Sequence, residues 1–296
     1  MPQLRPVSTF SIVARDPANG DLGVATASKF LAVGAVVPYA VADIGAVATQ
    51  SYANTGIGPR VVRALRAGVP LDLIDAALQA TDDQIALRQY GLVDAVGRSV
   101  SFTGDGCHPW AGGVTGDGYA AQGNLLTGPE VIEALADGFE GTHGPLAERL
   151  MAALAAGDRA GGDARGRQSA ALLVVRAEGG YGGLNDRYVD LRVDDDPDPV
   201  PRLRGLLSLQ RLYFEKPSDD DLLALEGEVA ERMLRVLRSA GFEVGAGWDE
   251  AAERSLRALA GVENLEERMT ESGRVDRAVL EHLERLHGGT VVPRES

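Results

Sequence analysis

The sequence predicts an α+β protein with antiparallel sheets, followed by a small α-helical domain. In the first two-thirds of the chain, strand-like segments occur in consecutive hairpins and helix-like segments occur in consecutive pairs. This order differs from the regular alternation of strand and helix that builds a parallel, doubly wound sheet. After the acidic, proline-rich run at 194–201, the apolar periodicity becomes almost wholly helical. The length of 296 residues therefore accommodates two domains.

The first strands are recognised from the turn residues that bound them. Residues 10–15 and 22–27 are mostly apolar or small, and the DPANGD between them carries the proline and Asn-Gly signals of a hairpin. Gly58-Pro59 opens a helix that Gly68 ends. The other elements of this part are strands at 33–41 and 44–49 and helices at 60–67 and 71–80.

The rest of the first domain contains the strongest strand signal of the chain. Residues 168–176, QSAALLVVR, form a continuous apolar run of the kind that is typical of a fully buried strand. Residues 188–193, YVDLRV, alternate as a half-buried strand does. The remaining elements are strands at 92–94, 99–103 and 119–124 and helices at 129–139 and 146–156.

Residues 218–290 are predicted to form the small helical domain. Ser218 with Asp221 three positions later is typical of a helix start, and apolar residues recur at helical spacing until Gly241. A helix at 200–212 precedes the domain, and two amphipathic helices at 249–260 and 274–286 complete it.

Composition excludes several classes of function. The chain has 43 acidic and 29 basic residues, and a net charge of -14 repels nucleic acid and anionic membrane surfaces. No apolar run approaches the roughly 20 residues that span a bilayer, and the start MPQLRPVSTF lacks the pattern of an export signal. The single cysteine cannot form an internal disulfide, and the four histidines lack metal-ligand spacing. We therefore expect a cytoplasmic protein without a metal or cofactor.

Thr9 is a candidate nucleophile because it stands at the start of the first predicted strand. A threonine hydroxyl reacts only when a base takes its proton. If Thr9 were the first residue of the chain, its own α-amine, with a reference pKa of about 7.7–8.0, would supply that base. An ordinary β-branched residue at a strand start is the alternative interpretation. The adjacent Cys107 and His108 are a weaker candidate pair, since neighbours on an extended chain point in different directions.

Several long segments resemble one family of bacterial and archaeal proteins of unknown function, whose members open with T-F-S-I-V-A. The similar segments lie in order within residues 8–209 and are TFSIVARDP, GVATASKFLAVGAVVPYA, GAVATQSYAN, PWAGGVTGDGYAAQGNLLTGPEVIEA, GDARGRQSAALLVV and YVDLRVDDDPDPV. The resemblance groups the chain with the N-terminal nucleophile (Ntn) hydrolases. It implies a four-layer αββα sandwich and hydrolysis of an amide bond, while the substrate stays open because fold kinship does not define it.

The same resemblance implies roles for single residues. Thr9 corresponds to the nucleophile, and Ser51 ends a strand where proteasome-type subunits place an oxyanion-hole backbone amide. Asp163 and Ser169 correspond to the acidic and serine pair near the terminal amine. Lys29, the only lysine of the first domain, is the candidate for the lysine near the nucleophile, with an exposed position as the equal alternative. Substrate contacts are expected from the polar residues of these segments: Ser28, Gln50, Asn54, Gln122, Asn124, Arg167 and Gln168. For Gln122 and Asn124, a role as turn-forming hydrogen-bond partners is the equal alternative.

The position of Thr9 in the chain sets a condition on this chemistry. Relatives that start with Met-Thr expose the threonine by removal of the methionine alone, whereas seven residues separate Met1 from Thr9 here. Activity therefore requires cleavage of the Ser8–Thr9 bond or a translation start further downstream.

The C-terminal segment GWDEAAERSLRALAGVENLEERM resembles a family of small domains that is described as peptidoglycan-binding. Trp248 is a candidate for stacking on a sugar, with a place in the core as the alternative. The acidic DDDPDP run is interpreted as a capping loop rather than a Ca²⁺ or Mg²⁺ site.

Together these observations predict an Ntn-type amidohydrolase that cleaves a small substrate or a peptide. The alternatives are a non-catalytic binding or scaffold protein and a cell-wall-associated hydrolase. Association of copies through exposed sheet edges is left open.

Overall fold

The computed structural model describes residues 7–287. The chain divides into two compact units with the boundary between Leu207 and Ser208. Two sequence expectations fall partly outside the described residues: the absence of an export signal, which involves residues 1–6, and the end of the predicted helical domain at 288–290.

The first unit contains two antiparallel sheets. A six-stranded sheet has the spatial order β10-β9-β2-β1-β8-β7, and a four-stranded sheet has the order β3-β4-β5-β6. The strands are β1 (Thr9–Arg15), β2 (Leu22–Ser28), β3 (Pro38–Val41), β4 (Gly45–Ser51), β5 (Arg88–Asp94), β6 (Ser99–Thr103), β7 (Gly112–Gly116), β8 (Tyr119–Gly123), β9 (Ser169–Val175) and β10 (Arg187–Val193). The helices are α1 (Ile57–Arg66), α2 (Leu71–Thr81), α3 (Glu130–Glu140), α4 (Leu146–Arg159) and α5 (Pro199–Phe214), which continues past Leu207.

Three apolar cores hold this unit together. Helices α3 and α4 pack on one face of the six-stranded sheet, the two sheets face each other across a second core, and α1 and α2 pack on the four-stranded sheet. Each fully buried leucine or isoleucine contributes roughly 1.5–3 kcal/mol of transfer free energy. Representative residues are Ile12, Leu135 and Leu154 in the first core, Val13, Val24 and Val93 in the second, and Val47, Ile57 and Leu92 in the third.

The register of the six-stranded sheet places the predicted nucleophile in a row of hydroxyl residues. Thr9 at the start of β1 pairs with Ser28 at the end of β2, and Ser28 pairs with Ser169 at the start of β9. On its other edge β1 pairs with β8, where Phe10 lies opposite Gly123. The start of β1 is therefore flanked on both sides by strands. The three hydroxyl residues of the row, Thr9, Ser28 and Ser169, are all buried.

The second unit is mainly helical. It contains α6 (Gly227–Ser239), α7 (Glu250–Val262) and α8 (Arg277–His287), with a small antiparallel pair of strands, β11 (Leu222–Ala224) and β12 (Arg274–Asp276). Helix α7 begins after Asp249, whose side chain accepts a hydrogen bond from the Ala252 amide at 2.9 Å. The core includes Met233, Leu256 and Leu280.

The structure confirms the mixed architecture with antiparallel sheets and the helical C-terminal region, but several predicted elements are wrong in detail. The predicted strand 33–41 is a 3-10 turn at Val33–Ala35 followed by β3. Ser218 precedes only a short 3-10 helix, Asp219–Asp221, and the predicted α-helix begins at Gly227 because Leu222–Ala224 pair with β12. Because residues 274–276 take part in the same pairing, the helix predicted at 274–286 begins at Arg277. Strand β7 was missed since its sequence GGVTG contains a single large apolar residue. No helix within residues 7–287 is long and apolar enough to cross a membrane.

Candidate active site

Thr9 lies fully buried at the start of β1. Its hydroxyl donates a hydrogen bond to the carbonyl oxygen of Val7 at 3.0 Å. Its nitrogen is part of the peptide bond to Ser8, so the α-amine that would serve as a base is not free in this chain. The structure thus shows Thr9 in the form that precedes any cleavage of the Ser8–Thr9 bond.

The carbonyl oxygen of Ser8 accepts hydrogen bonds from two side chains. One donor is the Ser28 hydroxyl, and the other is the Nη2 atom of Arg165 at 3.1 Å. Asp163 holds Arg165 in place through Nε to Oδ1 at 3.0 Å and Nη2 to Oδ2 at 2.7 Å. Two donors on one carbonyl oxygen, one of them cationic, stabilise negative charge that develops on that oxygen during nucleophilic attack.

Arg165 is the site residue that sequence reasoning missed. The residues predicted from the segment GDARGRQSA were Asp163, Arg167, Gln168 and Ser169, and the nearer arginine was passed over. The available signal was its position two residues after Asp163, a spacing that here allows a fork of two hydrogen bonds between guanidinium and carboxylate.

A network of buried amide side chains surrounds the backbone at the start of β1. Gln50 Nε2 donates to the Thr9 carbonyl at 3.2 Å and to Gln89 Oε1 at 2.8 Å. Ser11 Oγ donates to Gln50 Oε1 at 2.7 Å, and Asn124 Nδ2 donates to Gln89 Oε1 at 2.9 Å. The network links the facing sheets and fixes the carbonyl on the C-terminal side of Thr9.

Gln122 completes this network, and its side-chain amide packs against Gly91 of the facing sheet. Its Nε2 donates to Ser11 Oγ at 2.5 Å. A Cβ atom built on Gly91 of the facing sheet would lie 2.1 Å from Gln122 Oε1, so any larger residue there would force the Gln122 amide out of this position. Four buried polar atoms around this region have no hydrogen-bond partner within the described residues, namely Ser8 Oγ, Ser51 Oγ, Gln122 Oε1 and Asn124 Oδ1. Unpaired groups of this kind are rare in protein interiors.

Ser51 binds the backbone of Val7, and its role as an oxyanion-hole donor stays a prediction. Its backbone N–H donates to the Val7 carbonyl at 3.0 Å, and its carbonyl accepts from the Val7 N–H at 2.6 Å. The residue has a left-handed backbone with φ 63, an unusual conformation for serine. Its amide therefore binds the carbonyl one residue before Ser8, whereas Ser28 and Arg165 bind the Ser8 carbonyl itself.

The structure brings Thr9, Ser28, Ser51, Gln50, Gln122, Asn124 and Asp163 together in one region, and it directs the side chains of five other predicted residues elsewhere. Lys29 is exposed, and its ammonium donates to the Arg167 carbonyl at 3.1 Å. Ser169 donates to the Phe30 carbonyl and accepts from Val33 N at 3.1 Å. The remaining three pair with acidic side chains: Asn54 with Asp82, Arg167 with Asp158, and Gln168 with Asp195.

The Cys107 thiol is not activated as a nucleophile. Burial raises the pKa of this thiol, and its Sγ lies 3.4 Å from the Arg88 carbonyl. The His108 ring packs against Tyr52, with ring centroids 6.0 Å apart. Among residues 7–287, no group of three or more His, Cys, Asp or Glu side chains is arranged to hold a metal ion.

These features define a mixed α/β protein with facing antiparallel sheets and a buried polar site at the start of the central hairpin. A family model described as "Family of unknown function (DUF1028)" matches residues 9–203, and the chain belongs to this family. A second model, described as "Putative peptidoglycan binding domain", matches residues 213–283.

Among solved structures, a crystal structure of a DUF1028 protein from Silicibacter pomeroyi is similar, with a TM-score of 0.62 and 29% sequence identity. The similarity covers 76% of this chain and 89% of that chain. No curated protein matches the chain.

Proposed function

We propose that the protein is an Ntn-type amidohydrolase whose nucleophile, Thr9, becomes the first residue after cleavage of the Ser8–Thr9 bond. The observation that carries the proposal is the pair of donors, Ser28 and Arg165, on the carbonyl oxygen of the bond that must be cut. The family match begins at Thr9. The helix pair on each of two facing sheets also supports the proposal that the first unit is a four-layer αββα sandwich of the Ntn type.

Cleavage of the Ser8–Thr9 bond requires no group beyond this site and water. The Thr9 hydroxyl oxygen adds to the Ser8 carbonyl carbon while Ser28 and Arg165 stabilise the charge on the carbonyl oxygen. The bond to the Thr9 nitrogen then breaks, and the hydroxyl proton passes to that nitrogen. Water hydrolyses the resulting ester, which leaves a carboxylate on Ser8 and a free α-amine on Thr9.

Turnover of a substrate would repeat the same chemistry with the new amine as the base. The α-amine of Thr9, with a reference pKa of about 7.7–8.0, accepts the hydroxyl proton as the oxygen attacks the amide carbon. It then gives that proton to the leaving amine, and water hydrolyses the acyl-enzyme ester. Asp163 acts as a positioning residue in this scheme, because its carboxylate orients Arg165. The catalytic roles of Lys29 and Ser169 remain predictions.

We also propose that the second unit binds peptidoglycan, in line with its family match at 213–283. A cavity of about 260 Å³ in this unit is lined by Trp248, Asp249, Glu253 and Ser272, among others. An aromatic face next to polar groups suits a sugar ring, which presents C–H groups on its faces and hydroxyls on its edges. A cytoplasmic location is part of the proposal, and soluble wall fragments are then the natural ligands.

A non-catalytic scaffold is the second candidate, and one observation favours it: Thr9 is fully buried. Intact mass and N-terminal sequence of the untagged protein, followed over time, separate the two. We expect a species that begins at Thr9 in the wild type, and an uncleaved chain in a Thr9→Ala variant. An uncleaved wild-type chain that still hydrolyses amides would refute the nucleophile assignment. An uncleaved and inactive chain would support the scaffold.

A further inference from the structure

Val7 and Ser8 occupy the site in the manner of a bound peptide. Val7 forms an antiparallel bridge with Ser51 at the end of β4, with hydrogen bonds of 2.6 Å and 3.0 Å between the two backbones. This is how an extended peptide adds to the edge of a sheet. The segment that precedes the cleaved bond is therefore held by its backbone as well as by its carbonyl.

The side chains of these two residues lie in different environments. Val7 is 4% exposed and belongs to the apolar cluster that includes Val33, Val37 and Ala48. Ser8 is fully buried, and its hydroxyl has no hydrogen-bond partner within the described residues. The position of Val7 therefore favours an apolar side chain, and the position of Ser8 favours a small one that needs no hydrogen bond.

We infer that Val7 and Ser8 mark the subsite for the acyl side of the substrate, and that the substrate is a peptide amide. This inference rests on the proposed function. The acyl side of the substrate would be extended, with an apolar residue followed by a small residue at the cleaved bond. A simple acyl group lacks the backbone N–H and C=O that pair with Ser51, so a peptide makes full use of the site. Thr9 Oγ1 attacks the carbonyl carbon of the small residue, and the amine on the other side of the bond leaves with a proton.

The test uses fluorogenic peptides with the form of the protein that begins at Thr9. We compare acetyl-Ala-Val-Ala-aminomethylcoumarin with peptides in which phenylalanine replaces the last alanine or aspartate replaces the valine. We expect at least a tenfold loss of kcat/KM for each replacement, since the first overfills the small position and the second places a charge among apolar side chains. Serine in the last position is expected to be no better than alanine.

The backbone pairing is tested on the substrate rather than on the protein. N-methylation of the valine removes the N–H that would donate to the Ser51 carbonyl, and we expect a further loss of at least tenfold in kcat/KM. Equal rates for all these peptides, together with hydrolysis of other amides that depends on Thr9, would overturn the subsite and leave the proposed hydrolase intact.

A binding measurement keeps the two proposals apart if no amide is hydrolysed. Calorimetry with acetyl-Ala-Val-Ser, the product-like acid, is carried out on the form that begins at residue 9 and carries Thr9→Ala. Binding that the N-methyl peptide loses would support the subsite even though the hydrolase proposal had failed. Absence of both turnover and binding would overturn the subsite.

Discussion

Two arginine–aspartate pairs, one in each unit, share the same chemistry and differ in their surroundings. In the second unit, Arg268 Nη1 lies 2.6 Å from Asp276 Oδ2, and its other nitrogens donate to the carbonyls of Leu212 at 3.2 Å and Arg211 at 2.7 Å. In the first unit, Arg165 binds Asp163 and donates to the Ser8 carbonyl. The Arg268 side chain is 8% exposed, and that of Arg165 is 34% exposed.

The two pairs differ in the backbone carbonyls to which each guanidinium group donates. Arg268 binds two backbone carbonyls in the last turn of helix α5, so its guanidinium caps the end of that helix. Arg165 binds the carbonyl of Ser8, and several buried polar atoms nearby have no partner among residues 7–287. Removal of one partner from a fully paired buried charge leaves the other charge uncompensated, whereas the unpaired polar groups around the Ser8 carbonyl are a feature that the proposed active site would explain.

The largest effect is expected from Arg268→Met. Removal of the guanidinium leaves the buried Asp276 carboxylate without its charged partner, which costs about 3–5 kcal/mol in the free energy of unfolding. Urea unfolding of the full chain measures this, and Arg254→Met, at an exposed pair with Glu250, is the control with less than about 0.5 kcal/mol expected. Comparable losses for both variants would contradict the structural role of the buried pair.

Arg165→Ala is expected to slow cleavage of the Ser8–Thr9 bond, because loss of one donor to a developing oxyanion lowers the rate by about 10²–10³-fold. It should also lower the free energy of unfolding, because the Asp163 side chain is 1% exposed and loses its charged partner. Mass spectrometry over time measures the fraction that begins at Thr9. Arg167→Ala is the matched control, because its guanidinium binds Asp158 instead. If both variants are cleaved at the wild-type rate, Arg165 has no part in the reaction.

A third pair, Asp82–Arg88, also lies in the first unit. It tests whether the contrast between the first two pairs arises from the candidate active site or from the first unit as a whole. Burial alone would raise the pKa of the Asp82 carboxyl, but hydrogen bonds from Arg88, Asn54 and Gln84 outweigh it and lower the pKa from 3.8. A lowered pKa in the folded state gives stability that is present at neutral pH and is lost as pH falls below about 4.

Asp82→Asn should therefore lower the free energy of unfolding by roughly 1–2 kcal/mol at pH 7. The difference from the wild type should shrink as pH decreases from 5 towards 2. Urea midpoints at several pH values measure it, with the exposed Asp83→Asn as the control. A difference that stays constant across this range would show that the charge of Asp82 is not the cause.

The smallest effect is expected at Trp248 in the second unit. If this ring stacks on a sugar, Trp248→Ala should weaken binding of the full chain to purified murein by several-fold, as expected for a contact of about 0.5–1.5 kcal/mol. Co-sedimentation measures it, with Tyr181→Ala, an exposed aromatic of the first unit, as the control. A circular dichroism spectrum confirms that the variant is folded. Unchanged sedimentation would assign Trp248 to the core alone.

Local chemistry was sufficient to predict much of the fold. The β1–β2 hairpin and the buried strand β9 were predicted because turn residues and apolar periodicity act over a few neighbouring positions. The C-terminal helices were predicted for the same reason, although two of their starts were wrong where β11 pairs with β12. Pairing between distant segments overrides local propensity, and no local pattern reports it.

For the site, local sequence patterns were enough to place Thr9 at the head of a strand and polar residues at neighbouring strand ends. Which of these residues meet depends on the folded arrangement of the strands. The hydrogen bond between Arg165 and Ser8 joins residues 157 positions apart, and that between Ser28 and Ser8 depends on the register of β1 and β2. Side chains such as those of Lys29 and Ser169 turn elsewhere for the same reason: partners are chosen by the packing of whole strands and loops, which a single sequence does not encode in any short segment.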